Sequence, residues 1–381
     1  MALRILVLES GTEIGGAQSA LLTLLAALDR NEIDPVFVTL GFGSGDMPSR
    51  VGELGIPVVA LPFARFRQPM QTLDRIRTLA RFIARGAFHA VLCNSGHPLL
   101  FGRPASRLAS RPCVWWVHGY FPEDPLKGHA IALAERTLGA DLMLANSEYT
   151  ATMLRRVFPE HGGIRVVRPP VDTVAFAPNL SNGHGLHATL GIKKETPIIG
   201  HFGRLHPFKG QHVFLLAARQ LLDNRVRCHF LLVGGAPYGL SPEYSSSLRA
   251  LVKQESLSDS VTFLGARDDV NALMNACDVV VHSSIEPEPW GLVVAEAMAA
   301  GRPVVATRGG GPSEMINDGA NGCLVEPNNP QELARALHDL IASATLRSRM
   351  GAAARMTVLA NWTAPAIARE VTRNLAALVK Q

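Results

Sequence analysis

The sequence predicts an α/β protein made of two facing, doubly wound domains with a cleft between them. Three observations predict this. Short apolar runs alternate along the chain with segments of helical spacing, the pattern of parallel sheets covered by helices on both faces. The alternation is interrupted once, by a mixed polar stretch over residues 173–196, and then resumes. The length of 381 residues suits two to three domains. The expected division is therefore an N-terminal domain over 1–172, a connection over 173–196 and a C-terminal domain over 197–360. A final helix over 361–381 is placed to pack back toward the N-terminal domain.

Taken in order, the first domain opens with the apolar run Leu3–Leu8, a buried parallel strand. The loop SGTEIGGAQ follows, and then SALLTLLAAL, which is apolar at helical spacing. This loop is neither GxGxxG nor GxxxxGK[ST], so the dinucleotide and P-loop readings fall away. Gly15 and Gly16 would let the backbone approach a ligand at the helix start; a plain tight turn explains them equally well. Further strands are read at 35–40, 57–62, 89–94, 113–118, 141–146 and 164–170. Helices are read near 70–85, 97–109, 126–139 and 147–157. Ligands of such sheets bind at the carboxyl ends of the strands. That rim collects Ser10–Gly16, Asn94–His97, His118–Phe121 and Asn146–Ser147.

After the connection, strands are expected at 197–203, 228–235, 261–266, 278–284, 302–307 and 322–327. Helices fit at 210–223, 242–255, 268–276, 292–300 and 329–342, and residues 345–360 and 362–380 close the chain as helices. A cleft between two such domains is the default ligand site.

Composition narrows the function classes. Apolar residues make up 47% and charged residues 18%, enough for packed cores and too little charge for a disordered chain. The net charge of +5 favours anionic partners, but no basic block or nucleic-acid motif appears. The five cysteines are dispersed and mostly in apolar runs, which suits buried thiols in a reducing compartment. The N-terminal apolar run is cut short by Glu9, so no signal peptide is expected. No run reaches the roughly 18–20 residues of a membrane span. A soluble, cytoplasmic protein is expected, with a peripheral position at the inner face of the membrane left open.

Two clusters carry chemistry. Gly203–Gln211, GRLHPFKGQ, follows a strand and precedes a helix. Its Arg204 is a planar fork of donors and Lys209 a mobile point charge, a pair suited to a departing diphosphate. Solvated loop cations are the plain alternative. The second cluster, His282–Gly311, holds Glu288 in a loop and Glu296 in a short apolar helix. If that helix begins near Gly291, the amides of Gly291, Leu292 and Val293 are free to bind a phosphate oxygen. A carboxylate beside a diphosphate needs donors, and sugar and ribose hydroxyls supply them. An ordinary helix-surface role for Glu296 is disfavoured by its apolar neighbours.

EPEPWGLVVAEAMAAGRPVVAT together with GRLHPFKGQ closely resembles the retaining glycosyltransferases of the GT-B fold, the large family 4 group. The family's E-x7-E pattern falls on Glu288 and Glu296, and its GR…KG pattern on Arg204 and Lys209. The GGA loop (Gly15, Gly16, Ala17), the His118–Gly119 pair and the Asn146–Ser147 pair also look like family features, so the resemblance spans essentially the whole chain. It implies two Rossmann-like domains, an acceptor side in the first and a nucleotide-sugar donor side in the second. It implies that Arg204 and Lys209 hold and stabilise the leaving diphosphate, Glu288 contacts the transferred sugar and Glu296 holds the ribose. Gly16 would approach the diphosphate, His118 would sit near the sugar, and Ala266 and Arg267 would meet the base. Members generally need no metal or other cofactor. The acid pairs Asp268–Asp269 and Glu286–Glu288 form no Asp-x-Asp motif at a diphosphate site.

The partners so implied are a nucleotide-diphosphate sugar, with UDP favoured and GDP open, and a hydroxyl-bearing glycan, lipid or metabolite. A non-catalytic homologue or another GT-B reaction, such as nucleotide-sugar epimerisation, is the competing reading. Tyr120 and Phe121 are acceptor-side candidates, whereas Trp115 and Trp116 read as core. Residues 63–88 carry Arg65, Arg67, Arg75, Arg77, Arg81 and Arg85 beside an apolar stripe. The stripe reads as ordinary packing, with an anionic membrane or a phosphorylated acceptor as the alternative partner of the arginines.

Overall fold

The computed structural model describes residues 2–41, 45–61, 69–119, 139–179, 183–235 and 242–380. The chain divides into two compact units, Met1–Pro170 with Ala364–Gln381, and Val171–Thr363.

In the first unit the elements run β1 (Leu3–Glu9), α1 (Gly16–Ala27), β2 (Ile33–Thr39), α2 (Met47–Glu53), β3 (Val58–Ala60), α3 (Pro69–Arg85), β4 (Ala90–Asn94), α4 (Gly96–Leu108), β5 (Cys113–Val117), β6 (Leu142–Ala145), α5 (Glu148–Val157) and β7 (Ile164–Val166). The strands form one parallel sheet in the order β3-β2-β1-β4-β5-β6-β7. Both faces are covered. Along β1, Leu6 and Leu8 enter one apolar cluster and Ile5 and Val7 the other. That is why β1 reads as a continuous apolar run rather than an alternating one. Trp115 and Trp116 are core residues. Residues Leu79, Ala80 and Ile83 of α3 are buried in the same core, so the apolar stripe of this basic helix is used in packing. Arg75, Arg77, Arg81 and Arg85 remain exposed. The helix expected near 126–139 lies almost entirely outside the described residues, as do Tyr120, Phe121, Arg65 and Arg67.

The second unit runs α6 (Gly183–Leu190), β8 (Ile198–Phe202), a 3-10 turn (Pro207–Lys209), α7 (Gln211–Asp223), β9 (His229–Val233), α8 (Pro242–Gln254), β10 (Val261–Gly265), α9 (Val270–Ala276), β11 (Val279–His282), α10 (Leu292–Ala299), β12 (Val304–Thr307), α11 (Pro312–Met315), β13 (Cys323–Val325), α12 (Pro330–Ala342) and α13 (Ala344–Asn361). Its parallel sheet has the order β10-β9-β8-β11-β12-β13. Alternate residues of β11 again go to opposite layers, Val279 and Val281 to one and Val280 to the other.

The stretch expected to connect two domains is instead part of the second unit. Phe176, Leu186, Leu190 and Ile192 pack on its core. Asn275 fixes the backbone from both sides, accepting from the Asn179 amide at 2.8 Å and donating to the Ala177 carbonyl at 3.1 Å. The boundary therefore falls after Pro170. The chain returns beside that point, where Val171 donates to the Trp362 carbonyl at 2.9 Å. It then enters α14 (Ala364–Val379), which packs on α1 of the first unit. Residues Ile367, Val371 and Leu375 of α14 are buried there. Among the described residues no helix is long and apolar enough to cross a membrane.

Because Leu375 is fully buried in the first unit's core, Leu375→Ala is expected to destabilise that unit by about 2–5 kcal/mol. Urea unfolding followed by tryptophan fluorescence measures this, since Trp115 and Trp116 report on the same unit. An unchanged midpoint would mean that α14 contributes little to it.

Candidate functional site

In each sheet the strand order reverses once, between β1 and β4 in the first and between β8 and β11 in the second. Such switch points are where doubly wound sheets bind ligands, beyond the strands' carboxyl ends. Most of the described residues singled out from sequence follow β1, β8 or β11, strands that border these two points.

In the second unit, the loop after β8 and the loop after β11 are hydrogen-bonded into one block. The Ser283 hydroxyl donates to the Gly210 carbonyl at 2.9 Å, and the Ile285 amide to the Phe208 carbonyl at 2.9 Å. Gly210 has φ +64°, and a Cβ there would lie 1.9 Å from the Ser283 carbonyl oxygen. Only glycine meets both demands. The block brings Lys209 to Glu288, Nζ to Oε2, at 2.5 Å. The same Oε2 accepts from the Ser284 hydroxyl at 3.1 Å and lies 3.5 Å from His282 Nε2. Burial alone would push this carboxyl up. Lys209 and His282 outweigh it and hold Glu288 well below the usual carboxylate range, as a permanent anion. All of these donors crowd Oε2, and among the described residues Oε1 accepts from none.

The backbone of Glu288 is fixed by the glycine-rich loop after β12. The Gly311 amide donates to the Glu288 carbonyl at 2.8 Å, and Gly310 bridges the Glu288 backbone. Gly310 has φ +62°, and a Cβ there would sit 2.0 Å from the Glu288 carbonyl oxygen.

Gly291 caps α10 at its N-terminus. Among the described residues the amides of Gly291, Leu292 and Val293 have no protein acceptor, while the Val294 amide already bonds the Gly291 carbonyl at 2.9 Å. The helix start is thus open, as its sequence suggests. Arg204 is exposed at the end of β8 with its guanidinium free of partners among the described residues. Its carbonyl accepts from Gln211 Nε2 at 2.7 Å, which ties it to the start of α7. Ala266 and Arg267 follow β10 at the sheet edge, two strands from β8. The Arg267 side chain forks onto Asp269 at 2.7 and 2.8 Å and stays exposed.

In the first unit, Gly15 caps α1 and its amide donates to Gln18 Oε1 at 3.2 Å. A Cβ built on Gly16 meets nothing within 4 Å, so the fold itself does not demand glycine there. His118 follows β5. Burial lowers its pKa to about 3, so the ring is neutral and offers a lone pair and an N–H rather than a charge. Its Nε2 lies 2.7 Å from Asn94 Oδ1. Asn94 was expected only as part of the strand-end rim, and its neighbour Glu9 was not picked out. The available signal was an acid directly after the apolar run Ile5–Leu8 of β1.

Comparison with known proteins extends this picture. The family model described as Glycosyl transferases group 1 matches residues 186–357, and that described as Glycosyltransferase Family 4 matches residues 14–174. The chain belongs to the family 4 glycosyltransferases. Its two parallel sheets and their helices are the two Rossmann-like units of the GT-B fold. It is similar to the Anabaena HepE structure in complex with UDP-glucose, with a TM-score of 0.88 and 27% identity over 98% of this chain and 100% of that one. It is 34% identical to a D-inositol 3-phosphate glycosyltransferase of Corynebacterium urealyticum over 67% of this chain. The chain spans 64% of the length of that relative and 52% of a Mycobacterium counterpart. A GDP-mannose-dependent phosphatidylinositol monomannoside mannosyltransferase of Mycolicibacterium smegmatis is 26% identical, with 91% of each chain covered.

In this family 4 chain the second glutamate of the pair differs sharply from the first. Glu296 lies among Val293, Val294, Ala297 and Met298, and among the described residues its carboxyl has no hydrogen-bond or ion-pair partner. Burial pushes it up to about 8. The group expected as a carboxylate is therefore a neutral acid at pH 7 in the free chain. A raised folded pKa gives stability that is complete below the unfolded value near 4.5 and is lost as pH rises through about 8. Glu296→Gln is accordingly expected to match the parent at pH 5 and to be more stable by roughly 1–3 kcal/mol above pH 8. Thermal melts across pH 5–9 test this, and parallel curves would contradict it.

Proposed function

We propose that this chain is a retaining glycosyltransferase that moves a sugar from a nucleotide-diphosphate donor to a hydroxyl acceptor without a metal ion. UDP-sugars are the favoured donors and GDP-sugars the alternative. The observation that carries the reading is the Lys209–Glu288 pair beside the open start of α10, with Glu288 Oε1 left without a protein donor. Oε2 is committed to the protein, so Oε1 is the atom offered to a sugar hydroxyl. Lys209 retains two further N–H donors for phosphate oxygens. The positive charge that a departing diphosphate needs would come from Arg204, Lys209 and the free amides of Gly291, Leu292 and Val293.

Glu296 would receive the ribose diol, whose hydroxyls supply the donors that its carboxyl lacks in the free chain. Ala266 and Arg267 would meet the base through their backbone. From the first unit the reading draws Gly15, Gly16 and His118 as donor-side contacts; the space at Gly16 suits a ligand rather than a side chain. In the reaction the bond from sugar C1 to the diphosphate oxygen breaks while the acceptor oxygen bonds C1 on the same face. The acceptor proton passes to the leaving phosphate oxygen. Catalysis then rests on positioning and charge, and Glu288 is not a nucleophile.

The named relatives support this reading. One similar structure carries UDP-glucose, and one relative is named for GDP-mannose. The retained Arg204, Lys209, Glu288 and Glu296 argue against a non-catalytic homologue. Acceptors in polysaccharide, glycolipid or glycosylated-metabolite synthesis fit, and relatives named for inositol phosphate and phosphatidylinositol mannoside favour polyol and glycan hydroxyls.

A panel of UDP- and GDP-sugars, assayed without metal, tests the proposal by thermal shift, slow donor hydrolysis and the anomeric configuration of the product. No stabilisation by any nucleotide diphosphate would sink it. Lys209→Ala is expected to lower kcat by roughly 10²–10³, and an unchanged rate would remove its assigned role. The exposed Met70 and Leu73 beside the arginines of α3 favour a second, compatible reading, a peripheral contact with an anionic bilayer. Sedimentation with anionic but not neutral liposomes is its expected result, and equal binding to both returns α3 to plain packing.

A further inference from the structure

The carboxyl ends of β1, β4 and β5 hold a hydrogen-bonded relay that the reaction scheme above does not use. Glu9, the last residue of β1, is fully buried. Its Oε1 accepts from the amides of Ser10 and Gly11, each at 2.7 Å. The Gln18 side chain also hydrogen-bonds this carboxylate, and Oε2 accepts from Asn94 Nδ2 at 2.5 Å. Asn94, the last residue of β4, is fully buried too and turns its Oδ1 to His118 Nε2 at 2.7 Å. Asn146 Nδ2 holds the His118 carbonyl at 3.0 Å. The turn after Asn94 is strained: Ser95 sits at φ +79°, held by its amide bond to the Trp116 carbonyl at 2.9 Å.

The chemistry of the three groups fixes the direction of the relay. Glu9 Oε1 accepts from two backbone amides, and in its ionised form the carboxylate only accepts, so Asn94 then presents its NH2 to Glu9 and its carbonyl to His118. A carbonyl also only accepts, so the proton of the neutral ring is on Nε2 and Nδ1 carries a lone pair. Among the described residues Nδ1 has no partner.

We infer that Glu9, acting through Asn94, is a positioning residue that holds His118 as the Nε2–H tautomer, so that Nδ1 accepts a hydrogen bond from a hydroxyl of the transferred sugar. The inference rests on the glycosyltransferase reading for its sugar, but not for its tautomer. The same carboxylate fixes the amides of Ser10 and Gly11, so one buried charge sets both the loop leading to Gly15–Gly16 and the ring after β5.

Glu9→Gln tests the relay without changing its shape. The Ser10 and Gly11 amides can only donate, so they retain the Gln oxygen and turn its NH2 toward Asn94. Asn94 must then rotate, offering its NH2 to His118 and moving the ring proton to Nδ1. Adding Asn94→Asp restores an acceptor to both neighbours and returns the proton to Nε2. Long-range 15N–1H spectra of 15N-histidine-labelled protein at pH 8 read the tautomer, with His118 identified by its loss in His118→Gln.

The expected pattern is Nε2–H in the parent, Nδ1–H in Glu9→Gln and Nε2–H again in the double variant. With an active donor, kcat falls roughly 10- to 100-fold in Glu9→Gln, the size seen when the partner that orients a histidine is lost. Most of that rate returns in the double variant, which a merely structural role would not allow. An unchanged tautomer in Glu9→Gln overturns the inference, as does a double variant that regains the tautomer but not the rate. If Glu9→Gln melts below the assay temperature, the double variant decides alone: Nε2–H with activity supports the relay and Nδ1–H overturns it. A parent that shows the tautomer exchange yet turns over no nucleotide sugar overturns the functional reading and leaves the relay standing.

Discussion

A single part-buried anion, Glu288, organises the second unit's loops. A charge removed from water is tolerated only when donors surround it. Lys209, Ser284 and His282 meet that demand, and each belongs to a different part of the chain's path: the 3-10 turn after β8, the loop after β11 and the end of β11 itself. Meeting it brings backbone segments into contact at two points, and both points require a residue without a side chain, Gly210 against Ser283 and Gly310 against Glu288. Such a pair adds little net stability compared with apolar packing, so its cost is consistent with a role in ligand handling.

The first unit repeats the theme with different chemistry. Glu9 also sits at the point where strand order reverses, but it is held by backbone amides and side-chain amides rather than by a cation. Burial raises its pKa against the opposing effect of these hydrogen bonds. In both sheets parallel topology leaves strand ends with unpaired backbone groups at one rim, and a carboxylate placed there gathers the neighbouring loops. Glu9 and Glu288 thus differ from Glu296, whose carboxyl has no donor among the described residues to oppose the effect of burial.

Most of the fold was legible in the sequence because the central strands of each sheet are covered on both faces and so read as largely apolar runs. The elements after the connection agree with expectation to within a few residues, as for α10 and β12. The boundary between units was less legible: residues 171–179 look like loop, yet their backbone is fixed by Asn275, nearly a hundred residues away. Lys209 and Glu288 were legible as candidates because each belongs to a short local pattern, although their contact appears only in the fold. The relay at Glu9 was not. Its members lie on three strands that only the sheet order brings side by side, and no local spacing encodes a contact between residues 9, 94 and 118. Nor could sequence distinguish the ionisation of Glu288 from that of Glu296, since that depends on which donors the folded backbone delivers.

The path of α14 bears on how the molecule is made. Residues 171–363 form one uninterrupted unit, whereas the first unit needs α14 against α1 to complete its core. During synthesis the second unit can therefore finish folding before the first, although its residues are made later. Until residues 364–379 leave the ribosome, the apolar face of α1 lacks its partner and is open to association with other chains. That inverts the usual expectation that the N-terminal unit matures first.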